Sequence, residues 1–278
     1  MNIRFIQIVF IILFLMSLFD GNLHAQAVIP VLFENESQVG NPEKKGSFEY
    51  QSIEQKYILK GSGENIWFNN DQFYFLWKKV KGDFFIQSRV YFIGEGNHEH
   101  RKIGLMMRKS VSSASPHFSG TVHGDGLTSL QYRLEEKGET MEVKAEINMP
   151  EVIRLERKGE RVEFSFAAKG EEFKTVSLEE GSLDEEYLVG LFICSHDVNY
   201  YEEAVFDNVR LTLPAPAELV PYQDYLGSRI EILDITSETR EIIHTSPLSL
   251  QAPNWTKNGK GLVYNSEGLL FNLDIASR

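Results

Sequence analysis

The chain predicts an all-β protein: an antiparallel β-sandwich followed by a smaller strand-rich unit. Three observations predict it. From about Phe48 to Leu213 apolar residues recur with period two in short runs cut by turn residues. No segment in that region shows a long helical periodicity, and regularly spaced short strands close most simply as two sheets around a shared core. Aromatic residues make up 12% of the chain, 19 of them Phe, which suits large apolar sheet faces.

Composition narrows the function. The 278 residues carry 28 Lys+Arg against 40 Asp+Glu, a formal charge of −12. An acid excess argues against nucleic acid, whose binders cluster basic residues to displace counterions. The single cysteine, Cys194, excludes an internal disulfide framework and a cysteine-based zinc knuckle.

Residues 1–27 have the pattern of a secretory signal peptide. Arg4 precedes an apolar run from Ile8 to Phe19, Asp20-Gly21-Asn22 breaks it, and Ala25 and Ala27 offer cleavage sites. The run is short for a bilayer of roughly 30 Å. The expectation is a periplasmic or secreted protein, with no membrane insertion once the signal is removed. Residues 28–47 read as a leading segment before the sandwich.

Within the expected sandwich, 48–213, two hairpins are explicit. Leu127–Leu134 and Met141–Ile147 flank the turn Glu136-Lys137-Gly138-Glu139. Ile153 and Leu155 lead into Arg157-Lys158-Gly159-Glu160, after which Val162, Phe164 and Phe166 follow at spacing two. Glycine permits the positive φ of such turns, and the flanking charges keep the tips soluble. Later runs are Tyr187–Ser195 and Ala204–Leu213.

Several ordered segments resemble a known family. They are Trp67–Val90 (WFNNDQFYFLWKKVKGDFFIQSRV), Ile103–Ser110 (IGLMMRKS), Leu127–Arg133 (LTSLQYR), Val152–Gly159 (VIRLERKG), Val189–Asp197 (VGLFICSHD) and Ala204–Leu211 (AVFDNVRL). Together they resemble the concanavalin A-like lectin/glucanase jelly-roll domains of the DUF1349 type. The resemblance implies two curved sheets with one concave face, on which related domains bind glycans or beside which they pack a catalytic partner.

Pro214-Ala215-Pro216-Ala217 and Pro221 make 214–221 a proline-punctuated linker. Beyond it, Ile230–Ile235 and Glu241–His244 read as strands. Ala252–Ala276 (APNWTKNGKGLVYNSEGLLFNLDIA) resembles the repeat of TolB-like, WD40-related β-propellers, departing from it at Lys257 and Asn258. That resemblance implies one four-stranded propeller-type blade over 222–278. Propellers close with typically 4–8 blades, so the expectation is a truncated copy of a longer sandwich-plus-propeller protein. The alternatives are a blade packed on the sandwich and a blade that completes a partner's sheet.

No catalytic constellation stands out. Jelly-roll glucanases of the laminarinase kind need E-x-D-x-x-E to aim two carboxylates at one sugar bond, and the chain lacks it. Ser195-His196-Asp197 is consecutive, so its side chains alternate across a strand and cannot form a triad. His98-Glu99-His100 has metal-ligand spacing without an identifiable third ligand, and neither metal nor cofactor is expected. Cys194 reads as a small buried hydrophobe.

A binding face is better supported. Alternation puts Gln131 and Arg133 on one face of their strand, and Arg108 shares a face with Met106. His196 follows Phe192 and Cys194 at spacing two, and His117 and His123 flank Ser119–Val122. Trp77, Arg108, His117, Gln131, Arg133 and His196 are therefore the candidate ligand contacts, with stacking for a sugar's apolar face and donors for its hydroxyls. For any one arginine the alternative is a surface strand residue, and for any one aromatic the core. The expected function is non-catalytic recognition of carbohydrate or envelope glycan. The alternative is a TolB-like scaffold for an envelope protein, and a glycan-active enzyme comes third.

Overall fold

The computed structural model describes residues 31–276 apart from 182, 221, 222 and 238. The signal-peptide expectation, on residues 1–27, lies outside the described residues. Among the described residues all regular secondary structure is β-strand.

Two seven-stranded antiparallel sheets form the body. The first runs β1 (Asn35–Val39), β6 (Phe73–Lys81), β15 (Glu186–Cys194), β8 (Lys102–Arg108), β9 (His117–His123), β10 (Leu127–Arg133) and β11 (Met141–Asn148). The second runs β14 (Lys174–Leu178), β13 (Arg161–Ala167), β12 (Val152–Lys158), β7 (Phe84–Ile93), β16 (Asp197–Thr212), β3 (Lys56–Gly63) and β2 (Ser47–Gln51). Both expected hairpins are present, as β10–β11 and β12–β13.

The core lies between the sheets, where period-two alternation turns one apolar set inward. In β12 Ile153 and Leu155 point in; Leu155 sits opposite Ile86 on one side and Phe164 on the other. Leu105, Phe118, Leu130 and Leu191 meet them from the first sheet, all fully buried.

Three boundaries differ from those read in the sequence. The leading segment 28–47 is not separate from the sandwich: β1 pairs with β6 in register Asn35↔Trp77 to Val39↔Phe73, and Phe33 joins the core. The strands after the linker do not form one four-stranded blade. They are a hairpin, β17 (Ser228–Asp234) with β18 (Thr239–Ser246), and a separate three-stranded sheet, β19 (Gln251–Trp255), β20 (Gly261–Ser266) and β21 (Leu269–Asp274). Finally, the described residues up to Leu248 form one compact unit that includes the hairpin, and the described residues from Ser249 onward belong to another. The hairpin is held within its unit by specific bonds. Gln55 donates to the Ile242 carbonyl at 2.8 Å and accepts from the Ile242 N–H at 3.1 Å, while Arg210 donates to the Arg240 carbonyl at 3.0 Å.

Strands β8, β9 and β10 are buried along almost their whole length, on both faces. A sandwich sheet covered only by its partner would be buried on alternate residues. The outer face of the first sheet is therefore covered by something else. The cover includes the segment 63–72, with its short strands β4 (Ile66–Trp67) and β5 (Asn70–Asp71), and the loops at 109–116 and 134–140. The Asp71 N–H donates to the Ser113 carbonyl at 2.8 Å and the Thr140 N–H to the Phe68 carbonyl at 3.0 Å, tying the three together.

Candidate functional site

The strand registers set the outer face of the first sheet in rows. One row runs Leu188, Arg108, His117, Arg133; the next Trp77, Gly190, Met106, Ser119, Gln131, Glu142; a third Phe75, Phe192, Gly104, Thr121, Ser129, Lys144; a fourth Cys194, Lys102, His123. Strands β6 and β15 thus give an apolar half and strands β9 and β10 a polar half, with β8 as the seam. Val39, Ile66, Phe73, Phe75, Met106, Leu188, Phe192 and Cys194 make a second, smaller core over the apolar half, with Trp77 against its edge.

One end of the polar half is sealed. Asp71 is fully buried between two fully buried arginines. Arg133 holds it bidentately at 2.7 and 2.9 Å, and Arg108 approaches at 3.3 Å. Loop carbonyls take further guanidinium donors, Ser110 and Ser112 from Arg108 and Phe68 and Ser115 from Arg133; Arg133 also donates to Thr140 Oγ1, and its Nε has no partner among the described residues. His117, between the two arginines, is fully buried and neither ring nitrogen has a hydrogen-bond partner among the described residues. Burial first, then the positive charge of Arg108 and Arg133, pushes its pKa well below the ordinary 6.5, so it is neutral.

These positions correct the sequence reading of an open face. Arg108, Arg133 and His117 lie inside the protein, and the arginines' hydrogen bonds go chiefly to Asp71 and to loop carbonyls. Their chemistry is that of an internal ion cluster holding the cover down. Trp77 is half-buried and donates from its indole nitrogen to Ser37 Oγ at 2.9 Å, which locks it to the edge strand β1. Only Gln131 and His196 of the six candidates come together at an opening.

That opening is a cavity of about 210 Å³ at the opposite end of the polar half, lined by Asn65, Trp67, His100, Lys102, His123, Leu127, Gln131, Glu142 and His196. Four of the chain's seven histidines gather there. His98 and His196 have ring centroids 4.3 Å apart, His100 and His196 5.6 Å, and His100 and His123 5.9 Å. The H-x-H pair is thereby joined by two more histidines from β9 and from the β15–β16 corner. Even so, among the described residues no group of three or more His, Cys, Asp or Glu side chains is placed to hold a metal ion.

Hydrogen bonding fixes the protons of this cluster. His196 faces the Glu64 carbonyl at 2.6 Å, so its Nδ1–H donates and its Nε2 carries a lone pair. With the Gln131 amide nitrogen 3.0 Å from His123 Nε2, the ring accepts there and its proton sits on Nδ1. That Nδ1 and the Gln131 carbonyl oxygen have no partner among the described residues, although both side chains are buried. A buried polar atom without a partner costs about 1–3 kcal/mol, and these two belong to residues that line the cavity. Burial, followed by the charge of Lys102, lowers the His123 pKa to about 3; burial also lowers that of His196. Cys194, fully buried, has its thiol pushed up to about 11 by burial and is an inert core residue.

Trp67, Lys102, His123 and Glu142 were not among the candidates. Lys102 opens the alternating run Lys102, Gly104, Met106, Arg108 and was legible as facing the same way as Arg108. The meeting of His98 and His100 with His196, almost a hundred residues on, has no local signature. A larger cleft, about 430 Å³, lies between the second sheet's outer face and the β17–β18 hairpin. Its arginines are largely engaged: Arg89 with Glu151 at 2.6 Å, Arg154 with Gln87 at 2.7 Å and Arg210 with Glu231 at 3.3 Å.

No family model matches the chain. An uncharacterized protein of Agrobacterium fabrum is 43% identical over 51 residues, which is 18% of this chain and 17% of that relative; the chain thus matches about a sixth of its length. Among solved structures, a functionally unknown protein of Saccharomyces cerevisiae is similar with a TM-score of 0.51 at 16% identity, over 65% of this chain and 97% of that one. This likeness is one of fold. Weaker likenesses, at TM-scores of 0.37 and 0.41, are to a pseudo β-1,3-glucanase of Mycobacterium tuberculosis (12% identity, 56% of this chain and 74% of that one) and to a family 7 alginate lyase (7% identity, 59% and 82%).

Proposed function

We propose that the protein is an exported, non-catalytic binding module of the concanavalin A-like, DUF1349 type, and that it recognises carbohydrate at the histidine-lined cavity on the outer face of the first sheet. The observation that carries this reading is that two residues lining the cavity each keep a buried polar atom without a partner among the described residues, the donor His123 Nδ1 and the acceptor Gln131 Oε1. A saccharide carries both acceptor oxygens and donor hydroxyls, so it can satisfy each of these atoms. Trp67 lines the same cavity and offers a flat apolar surface for a pyranose face.

Glycan-array screening followed by calorimetric titration of the best ligand tests this. Gln131→Ala and His123→Ala should each weaken binding by about tenfold or more, as expected for removing a buried partner of a bound hydroxyl. Binding that both variants leave unchanged would remove the cavity from consideration. A second reading, a TolB-like protein–protein scaffold, is favoured by the exposure of Trp255, Leu269, Leu270 and Phe271 on the last three strands.

A further inference from the structure

We infer that the cavity selects an acidic saccharide, one carrying a carboxylate or a sulfate ester, with Lys102 as the counter-charge. The inference rests on the carbohydrate reading above and adds the chemical class of the ligand.

The argument is one of charge balance. Beneath the cover, the outer face of the first sheet buries three cations, Arg108 and Arg133 at 0% exposure and Lys102 at 3%. Asp71 is the carboxylate buried with them. Both arginines spend their charge on it. Lys102 takes part in no ion pair among the described residues; its ammonium donates to Asn65 Oδ1 at 2.5 Å and the Ile66 carbonyl at 3.3 Å, and lies 5.6 Å from the Trp67 ring centroid. Those partners are neutral. A buried cation without a counter-ion is costly. Burial lowers the Lys102 pKa to about 8, which leaves it mostly protonated at neutral pH.

Of the three cations, the one that makes no ion pair is the one that lines the cavity. Glu142 also lines it and, like Asp71, acts on Lys102 through space without reaching ion-pair distance; on the edge strand β11 it is paired with Lys144 at 3.5 Å. The other lining residues supply both kinds of polar group: His123 Nδ1–H and Gln131 Oε1 have no partner among the described residues, and His196, donating from Nδ1 to Glu64, carries a lone pair on Nε2. Within a chain of net −12, a buried ammonium that makes no ion pair gives this cavity a local positive site for an anion.

The test is calorimetric titration of the full protein with three probe sets: oligouronates of gluco, galacto and manno configuration, their carboxyl-reduced neutral counterparts, and sulfated galactan fragments. The best ligand should be acidic and bind at least roughly tenfold tighter than its neutral counterpart, the effect of one charge-assisted hydrogen bond. Lys102→Met should bring the two within about twofold while leaving the unfolding midpoint in urea unchanged or higher. Preference for oligouronates assigns a carboxylate and preference for the sulfated fragments a sulfate ester; either supports the inference. A wild-type protein that binds neutral and acidic forms equally overturns it and leaves the carbohydrate reading standing. No binding to any probe or to an unbiased glycan array overturns both. The wild-type comparison decides the matter even where the variant fails to fold.

Discussion

Asp71 accepts two hydrogen bonds from Arg133, faces Arg108 at 3.3 Å, and shares full burial with both. Removing the negative charge while keeping the shape leaves two guanidinium groups inside the protein with no counter-ion. Breaking a buried pair in this way typically costs about 3–5 kcal/mol. Asp71→Asn should therefore destabilise the sandwich by roughly that amount, read as a lower urea midpoint. A loss below about 1 kcal/mol would mean that loop carbonyls alone satisfy the arginines. The residues of this cluster were visible in the sequence, but their role was not. Arg108 and Arg133 alternate with apolar neighbours as solvent-facing residues of a half-buried strand do. What inverts the reading is a carboxylate from a segment 37 residues before Arg108, and period two carries no information about a partner that distant. Likewise His98 and His100 are legible as a pair, whereas His196 and His123 join them only through the pairing of β8 with β15 and β9.

At the scale of elements, local pattern was informative wherever a strand has one apolar face. The runs read at Leu127–Leu134, Met141–Ile147 and Tyr187–Ser195 agree within a residue or so with β10, β11 and β15. Pattern was uninformative for β1, whose sequence Asn-Glu-Ser-Gln-Val is polar because it is an edge strand half open to water. It was also uninformative for the cover segment 63–72, which has little regular structure of its own. That segment turns away from β3 at Gly63, whose φ is +146°, and a Cβ there would meet the Gln72 carbonyl oxygen at 1.9 Å. Only glycine accepts both conditions. Gly63→Ala should lift the segment off the sheet, costing about 2 kcal/mol or more and exposing the amides of residues 64–72. Hydrogen exchange checks it: those amides should lose protection before the β12–β13 hairpin does. Unchanged protection across 64–72 would show that the segment is held from its far end, through Asp71.

Across the whole molecule, charge is segregated. The chain is acidic, yet the space beneath the cover holds more buried cations than carboxylates, which leaves the remainder of the protein more acidic still. One consequence falls on the histidines enclosed with those cations. His117 is held well below its ordinary pKa and His123 at about 3, in each case by burial first and by neighbouring positive charge second. In the unfolded chain both return to about 6.5. Above that pH both states are neutral and the two residues exert no pull. As the pH falls below it, the unfolded chain takes up protons that the folded protein refuses, so stability is complete above about 6.5 and is lost progressively toward the folded-state values. Two such groups give a slope on the order of 2–3 kcal/mol per pH unit once the pH is well under 6.5. Urea midpoints measured from pH 7.5 to pH 5 should fall accordingly, and His117→Gln should remove close to half of the slope, because an amide does not titrate. A variant with the wild-type slope would mean that carboxylates elsewhere, rather than the enclosed histidines, govern the acid limb. The same interior that lowers these pKa values is the one proposed to hold an acidic sugar beside Lys102. Saturating ligand adds a negative charge to it, which raises the folded-state pKa of His123 toward the unfolded value and should flatten the midpoint's fall in the wild-type protein.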